Sequence, residues 1–438
     1  MMPVSTPEKA NSNPLRGFAA PFASSRAFLY LWLGHLISFL GSSITMVILP
    51  VLVYSMTGST TIMGFVMAAY MLPNVLMLPI SGHIVDRYDR VKIMMLADIA
   101  RSVIMLTTAV LSLSGLLSIP LLFVLVGFYG LLDGLFQPAY AAVRATVFTP
   151  DIRNAANSLT QMTTQTVRLI GPALGGLLIT HLSAGFGFGM DALTYLLSFL
   201  CLIYLRKFLI VRLRPEFSVP SALSDLSPSA SPAVQPAPDW KADFKEGVAV
   251  LRSNPWLWIT ILAFSFINIC YAGITSILVP WLFKIHHGWE PYLYGLAVTF
   301  SGVGAIVGGL LYGMRPQWSH RGLMAYGGAF LSGLALLLLP FVPTAAGAIA
   351  LFALEGFGLM IFGLIWEISL QELVPQEAFG RVASLDLLGS FALLPVGYIL
   401  VGWLADVIGG VATIAIFAGA GMTCIALVLS IPAIRKFQ

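Results

Sequence analysis

The 438-residue sequence contains very little charge. Only 10% of its residues are Asp, Glu, Lys or Arg, whereas 58% are hydrophobic. Soluble globular proteins have about 25% charged residues, so this composition argues against a large soluble enzyme. Cysteine is scarce as well, because the chain has only Cys201, Cys270 and Cys424, all within apolar runs. An odd count at these spacings fits neither a disulfide framework nor a zinc site.

Motifs for chemistry are also missing. The sequence has no G-x-x-x-x-G-K-[ST] segment, which binds ATP phosphates in P-loop proteins, so we expect ATP not to be a direct energy source. The pair His286-His287 is interpreted as a solvated turn and not as a metal site. We therefore expect no enzymatic activity, no cofactor and no metal.

Long apolar runs are what the sequence has instead. Each is long enough to cross the ~30 Å hydrocarbon core of a bilayer as a helix. We predict an all-α polytopic membrane protein with twelve transmembrane helices. The predicted spans are 27–55, 61–84, 92–114, 119–143, 155–180, 187–209, 256–283, 291–314, 322–342, 345–371, 381–405 and 410–433.

The basic residues predict the orientation of these spans. With the N-terminus inside, 20 of the 23 Lys and Arg residues fall on the cytoplasmic side, since only Lys284 faces outward and Arg101 and Arg168 fall within spans. Such an excess is the normal positive-inside pattern. We expect both termini to be cytoplasmic, and no nucleic-acid partner, because the basic residues follow the loops and form no single stripe.

The middle of the chain interrupts the apolar pattern. Residues 214–240 are rich in Pro, Ser and Ala and cannot bury enough apolar area to fold. The two flanking halves also echo each other: Phe148-Thr149-Pro150-Asp151 ends the fourth span, as Leu373-Val374-Pro375-Gln376 ends the tenth. Such repeats indicate a duplicated transporter with the substrate path between its halves. We divide the chain into a cytoplasmic tail (1–26), an N-terminal six-helix half (27–209), a cytoplasmic linker with a short amphipathic helix (210–255), and a C-terminal six-helix half (256–434).

The loop between the second and third spans carries a recognisable motif. It runs from Gly82 to Lys92, GHIVDRYDRVK, and we name it the gating hairpin. We expect Gly82 to allow close helix approach, Asp86 to cap the third span or pair with a basic residue, and Arg87 and Arg90 to hold the loop in the cytoplasm. The motif resembles the G-x-x-x-D-R-x-G-R-K signature of the major facilitator superfamily, from which Asp89 and Val91 depart.

Other segments extend the resemblance over nearly the whole chain. They are similar to the bacterial branch that includes the enterobactin exporter and the macrolide-efflux permeases. These segments include Leu49-Pro50, Ala97-Asp98-Ile99-Ala100-Arg101, Gln137-Pro138-Ala139, Ala155-Ala156-Asn157-Ser158-Leu159, Trp366-Glu367, Gly380-Arg381-Val382 and Leu394-Pro395-Val396-Gly397-Tyr398.

A glycine-rich segment of the fifth span points to the direction of transport. Gly171-Pro172-Ala173-Leu174-Gly175-Gly176 would let this span pack closely on a neighbour, while Pro172 bends the helix. It resembles the helix motif typical of drug-exporting antiporters in the superfamily, although Val167 stands where that motif has glycine. The resemblance favours export.

A few ionisable residues fall inside predicted spans, where each needs a partner or a water path. Asp133 and Arg168 lie midway along sequential spans, so we expect them to pair, either statically or as a proton-coupling unit. Glu355 is a proton carrier if it faces the cavity, or otherwise a packing acid. Glu367 is a further coupling candidate, or a member of a charge network with Arg381 or Arg144.

The resemblance implies that spans one, four, seven and ten line the central cavity. Its lining is expected to suit an amphiphilic solute. We expect Asp98 and Arg101, three residues apart on one face of the third span, to pair with the gating hairpin; the alternative is that they bind substrate. His35 is either a titrating group or a hydrogen-bonded structural residue. The substrate-cavity candidates are His35, Phe39, Gln137, Tyr140, Asn268, Tyr271, Phe362 and Trp366.

These features predict a secondary transporter whose halves rock about a central site. The favoured function is proton-coupled efflux of an amphiphilic small molecule, such as a drug, a macrolide-like compound or a siderophore, across a bacterial inner membrane. The expected partners are the substrate, protons and membrane lipids, and the expected state is a monomer. Two alternatives stay open: a proton-coupled uptake symporter for a nutrient, and a non-transporting receptor on the same scaffold, which a polar, accessible cavity would argue against.

Overall fold

A computed structural model of the chain describes residues 21–213, 249, 251–314, 320–374, 382, 385–386 and 389–435, without the side chains of 210–213. The predicted tail up to residue 20, the linker over 214–240 and nearly all of the amphipathic helix before residue 251 lie outside these residues. Arg381, named above as a partner of Glu367, lies outside them too.

The described residues form twelve long helices, numbered here in chain order. They are α1 Arg26–Thr57, α2 Thr60–Arg87, α3 Arg90–Leu113, α4 Ile119–Val147, α5 Arg153–His181, α6 Ala184–Leu213, α7 Pro255–His286, α8 Pro291–Gly313, α9 Arg321–Phe341, α10 Ala345–Leu373, α11 Leu394–Ile408 and α12 Gly410–Leu429. A short helix, α13 Pro432–Arg435, follows. The predicted class of fold, twelve crossing helices in two six-helix halves, is confirmed.

The boundaries follow local capping chemistry. The Ser25 hydroxyl accepts a hydrogen bond from the Phe28 amide at 3.2 Å, and Ser59 and Thr344 cap α2 and α10 in the same way. Gly58 ends α1 with a φ of 64°, a conformation that costs glycine little. The predicted eleventh span begins at 381, outside the described residues. Of the residues that follow, 382, 385, 386 and 389–391 are helical, a turn comes at 392–393, and α11 begins at Leu394, where Pro395 fits a first turn that needs no amide donor.

Eleven described helices are apolar and long enough to cross a membrane, and α5 (Arg153–His181) is not among them. It carries Arg168 and many Thr and Gln residues. It nevertheless has the length of its neighbours and packs against α1 in its own half and α8 in the other half. Its polarity reflects the polar surface that it faces, which is described below.

Glycine allows the closest contacts between the halves. A Cβ atom on Gly176 of α5 would lie 2.8 Å from Tyr292 Cα of α8, and one on Gly295 would overlap the Pro172 carbonyl. On the other side of the bundle, a Cβ on Gly64 of α2 would overlap the Tyr398 carbonyl of α11. The expectation that the glycine-rich segment of α5 packs closely on a neighbour is confirmed.

Hydrogen bonds lock the halves together at one end of the bundle, which we name the closed end and define by residues 57–60 and 406–410. The Asp406 carboxylate accepts hydrogen bonds from the Thr60 amide at 2.9 Å, the Thr61 amide at 3.0 Å and the Ser59 hydroxyl at 2.5 Å. Asp406 therefore caps the N-terminus of α2 from the opposite half.

The gating hairpin lies at the other end, here named the hairpin end. Two expectations about it are wrong. The cap of α3 is Asp89, which accepts from the Val91 amide at 3.0 Å, whereas Asp86 makes no hydrogen bond or ion pair that we find among the described residues. A Cβ on Gly82 would meet nothing within 4 Å, so this glycine permits no close helix approach here.

Candidate functional site

A cavity of about 690 Å³ lies between the two halves. Helices α1, α2, α4 and α5 of the N-terminal half and α8 and α10 of the C-terminal half supply most of its wall. Helix α7 contributes Ser276, which lies in a π-helical stretch, Ile274–Leu278, a helix form frequent at functional sites. The buried residues Tyr294 and Tyr398 line the cavity from α8 and α11, next to the interhelical contacts that continue to the closed end.

Five of the predicted coupling and substrate-cavity residues line this cavity, namely His35, Phe39, Asp133, Gln137 and Arg168, and so does Pro172 of the glycine-rich segment. The His35 ring stacks on Tyr140 with 4.2 Å between ring centroids. Its Nδ1 atom is buried without a hydrogen-bond partner among the described residues. The expectation of a hydrogen-bonded structural histidine is therefore wrong for that nitrogen.

The other cavity candidates do not line it, for reasons of helix rotation. Tyr140 lies behind His35, and Asn268 donates to the Ser390 carbonyl at 3.4 Å. Tyr271 is buried, and a Cβ atom on either Gly333 of α9 or Gly421 of α12 would collide with its ring.

Two aromatic candidates belong to a separate cluster near the hairpin end of α10. Phe362 stacks on Phe264 with 3.6 Å between centroids, and Trp366 Nε1 donates to Asp386 at 3.0 Å. Both side chains stabilise contacts within the C-terminal half, so neither lines the cavity described here.

An acid–base cluster forms the polar wall of the N-terminal half. The Arg101 guanidinium donates to Asp98 at 2.5 Å and to Asp133 at 3.1 Å. Asp133 also accepts from the Tyr70 hydroxyl at 3.0 Å and from the Asn74 amide at 3.1 Å. The Asp133 side chain is 20% exposed and reaches the cavity, whereas Asp98 is fully buried.

This geometry corrects two expectations. Asp133 pairs with Arg101 of α3 and not with Arg168 of α5. Asp98 and Arg101 do not pair with the gating hairpin, since the remaining Asp98 oxygen accepts from the Ser198 hydroxyl of α6 at 2.6 Å. The i, i+3 spacing of Asp98 and Arg101 could be seen in the sequence, but the approach of α3 to α4 could not.

Two rings hold the Arg101 guanidinium in place. Its central carbon lies 4.3 Å from the Phe136 ring centroid and 4.4 Å from that of Tyr195. Stacking of this kind favours a planar guanidinium over an ammonium group. The Tyr195 hydroxyl in turn shares hydrogen bonds with Tyr129 and Ser42, each at 2.7 Å.

A further buried acid, Asp191 of α6, escaped the sequence analysis. It accepts from the Thr45 hydroxyl at 2.6 Å and has no ion pair among the described residues. A Cβ on Gly41 of α1 would collide with Asp191 and Thr194. Its position inside a predicted span was the signal that could have revealed it.

Arg168 projects into the cavity from α5 and is exposed there. It forms no ion pair, hydrogen bond or ring contact that we find among the described residues. Gln165, one turn earlier on the same face of α5, also lines the cavity. Within the described part of the chain, Arg168 is therefore a cation without a protein partner, on a polar strip of this helix.

Glu355 does not line the cavity. It is 6% exposed, and its Oε2 atom accepts from the Ser301 hydroxyl of α8 at 2.7 Å. Helices α8 and α10 approach closely there, because a Cβ on Gly304 would overlap the Ala353 carbonyl. Glu367 is exposed and accepts from Gln371 at 2.9 Å, so its expected partner Arg144 does not hold it.

Methionine and serine side chains complete the wall. The sequence analysis did not single out these residues, although Met67, Tyr70, Met71 and Asn74 recur at helical spacing and so mark one face of α2. The cavity therefore combines a soft apolar surface with scattered hydroxyl groups. The methionines and serines that line it are Met46, Met67, Met71, Met360, Ser38, Ser42, Ser43, Ser276 and Ser301.

Comparisons with known proteins agree with this architecture. Macrolide efflux protein A of Streptococcus pyogenes is 24% identical to this chain over 419 residues, which cover 94% of the chain and 97% of that protein. The multidrug efflux pump Tap of Mycolicibacterium fortuitum is 26% identical over 378 residues, covering 84% and 87%. The crystal structure of the nucleoside transporter NupG superposes with a TM-score of 0.67 at 11% identity, covering 94% of this chain and 100% of that one.

A second crystal structure, that of a bacterial homologue of the iron transporter ferroportin in an inward-facing state, superposes with a TM-score of 0.66. Its sequence identity is 16%, and the match covers 92% of this chain and 96% of that one. At such identity these structures bear on the fold alone. The sequence model of the Major Facilitator Superfamily matches residues 31–393, which cover most of both six-helix halves. The chain, a multi-pass membrane transporter, belongs to the Major Facilitator Superfamily.

Proposed function

We propose that the protein exports an amphiphilic small molecule from the bacterial cytoplasm in exchange for protons, with Asp133 as the group that binds the proton. One observation carries the proposal. Asp133 lines the central cavity in a cluster where two carboxylates, Asp98 and Asp133, share the single guanidinium of Arg101.

This cluster has one negative charge in excess when all three groups are ionised. An uncompensated charge inside a membrane protein is costly, so the cluster favours a species that neutralises it. A proton can do so, and so can a cationic or hydrogen-bond-donating group of a solute. Asp133 is the carboxylate that meets the cavity, so both species compete for the same place.

Competition of this kind couples two flows. A solute bound from the cytoplasm occupies the cavity while Asp133 is ionised. Once the halves rock and the cavity faces outward, proton binding at Asp133 releases the solute and favours the return step. Exchange of one species for the other follows without a chemical reaction.

The orientation that fits export places the hairpin end in the cytoplasm. Arg87, Arg90 and Lys92 lie at this end, and an excess of cationic residues is the mark of cytoplasmic loops. The closed end, locked by Asp406, then faces outward. The conformation described above is in this reading the one that loads solute from inside.

The cavity wall supports an amphiphilic solute and argues against a non-transporting receptor. A volume of about 690 Å³ suits a drug-sized molecule, and methionine, phenylalanine and serine side chains contribute to its wall. Relatives named as a macrolide efflux protein and a multidrug efflux pump support export over uptake.

The test uses the purified protein in liposomes with an acidic interior. Uptake of erythromycin, of the dye Hoechst 33342 and of the amphoteric compound Nε-dansyl-lysine is followed with and without the pH gradient. We expect the gradient to accelerate uptake of at least one compound. In D133N the acceleration should fall by more than about tenfold, while gradient-independent exchange of the same compound persists.

The matched control is D133E, which keeps a titratable carboxyl group and should retain part of the acceleration. Transport that ignores the pH gradient would disprove proton coupling. Full acceleration in D133N would leave coupling intact but remove Asp133 from it.

A further inference from the structure

We propose that the transported amphiphile carries a carboxylate that Arg168 binds, and that it is amphoteric, with a basic group facing Asp133. The proposal rests on the proposed function and names the class of its substrate. It rests on a difference among the charged side chains that line the cavity: some have protein partners among the described residues and one does not.

Of the residues that the structure describes, three charged side chains line the cavity: Arg101, Asp133 and Arg168. The first two are bound to each other at 3.1 Å, and aromatic rings and hydrogen-bond donors surround them. Arg168 has none of these contacts among the described residues. Arg168 is exposed to the cavity and has no counter-ion among the described residues, so its guanidinium is available to bind an anionic group of the solute.

The neighbours of Arg168 suit a carboxylate. Gln165 lies on the same face of α5 and can donate from its amide. The guanidinium itself presents two parallel N–H groups that match the two oxygens of a carboxylate. The next residue of α5, Leu169, packs against Gly302 of α8. A Cβ atom on Gly302 would lie 3.3 Å from the Leu169 side chain. Arg168 thus lies beside the contact between the two halves, where a bound anion affects both.

A purely anionic solute does not fit exchange with protons. Such a solute would make the cavity more negative and would draw a proton onto Asp133. Linkage then makes the proton and the solute bind together and not in competition. Exchange therefore requires a second, basic group on the same solute, which takes the place of the proton at Asp133.

The experiment measures binding of fluorescent probes to the purified protein in lipid nanodiscs. Two amphoteric probes differ in the separation of their charges: Nε-dansyl-lysine and glycylglycyl-Nε-dansyl-lysine. Each is compared with its C-terminal amide, which lacks the carboxylate. Nα-acetyl-Nε-dansyl-lysine lacks the basic group instead.

In the wild type we expect at least one acid to bind about tenfold or more tightly than its amide, as a charge-assisted hydrogen bond supplies. R168Q should reduce this ratio to about one, and R168K should keep part of it, because a point charge remains without the planar fork. The acetylated probe should bind more weakly than Nε-dansyl-lysine.

The matched control is R153Q, at the hairpin end of the same helix and outside the cavity lining, which should leave the ratio unchanged. Thermal unfolding of each variant checks that it is folded. Three results would overturn the proposal: no acid binds, acids and amides bind equally, or the ratio survives R168Q. Equal binding of the acetylated probe would refute the amphoteric substrate. Failure here is separable from failure of the proposed function, since pH-driven export of the amides could still proceed.

Discussion

Arg101 organises the polar core of the N-terminal half. Its guanidinium joins α3 to α4 through Asp133, while Asp98 joins α3 to α6 through Ser198. The Phe136 and Tyr195 rings both pack against it. The residue that positions the proposed proton site is thus itself almost wholly buried, with 3% of its side chain exposed.

Glu355 provides a test at the residue scale, because it is an embedded acid in the other half that does not line the cavity. We expect E355Q to retain gradient-driven transport to within about twofold, since glutamine preserves the shape and still accepts from Ser301. The measurement is the liposome assay used for D133N. A loss in E355Q as large as that in D133N would instead assign proton coupling to Glu355.

The sequence identified Asp133 and Arg168 as site residues but paired them wrongly. Their partners depend on how α3, α4 and α5 rotate about their axes, and that rotation depends on contacts between distant residues. Arg101 precedes Asp133 by 32 positions, a separation that no helical periodicity encodes. Spacing within one helix, as between Asp98 and Arg101, was the part of the cluster that could be predicted.

At the scale of single helices, the contacts at the closed end join the two halves. Asp406 of α11 caps α2 across the boundary between the halves, where it contributes charge-assisted hydrogen bonds to two backbone amides. The rocking of the halves proposed above would require this cap to break in each cycle. The strength of the cap therefore contributes to the balance between the two conformations.

We expect D406A to shift this balance toward a conformation with the closed end open. Loss of a helix cap costs about 1–2 kcal/mol, which corresponds to a population change of about 5–30-fold. Spin labels at Met56 of α1 and Val407 of α11, both exposed, report the separation of the halves in a background with Cys201, Cys270 and Cys424 changed to alanine.

The control for this measurement is E290Q. Glu290 is an exposed acid at the start of α8 whose side chain makes no cap hydrogen bond. The distribution of distances between the two spin labels in E290Q should therefore match that of the parent. Identical distributions in D406A and the parent would mean that the cap does not influence the conformational balance.

At the scale of the whole molecule, the distribution of charge predicts its orientation. Tyr88 is 68% exposed in the gating hairpin, and Leu116 is 71% exposed between α3 and α4, at the opposite end. We expect a membrane-impermeant maleimide added to intact cells to label L116C at least about tenfold more than Y88C. In inside-out vesicles the order should reverse. Stronger labelling of Y88C than of L116C in intact cells would mean that the hairpin end faces outward.

The overall architecture was largely predictable because the constraint behind it is local. In a bilayer each segment must satisfy its own backbone hydrogen bonds, so apolar runs translate directly into helices, and α8 Pro291–Gly313 and α10 Ala345–Leu373 match their predicted spans to within two residues. The cavity wall was less predictable, since Asn268, Tyr271 and Phe362 share the expected helices but face other helices.

The polarity of α5 has a consequence for the synthesis of the protein. This helix is not apolar enough to qualify as a membrane span by itself, and a central arginine adds about 2.5–3.5 kcal/mol to its insertion through the translocon. We expect α5 to leave the translocon as a hairpin with α6, whose apolar surface can carry it into the lipid. Arg168, which is proposed to bind the solute, would thus also make insertion of α5 dependent on α6.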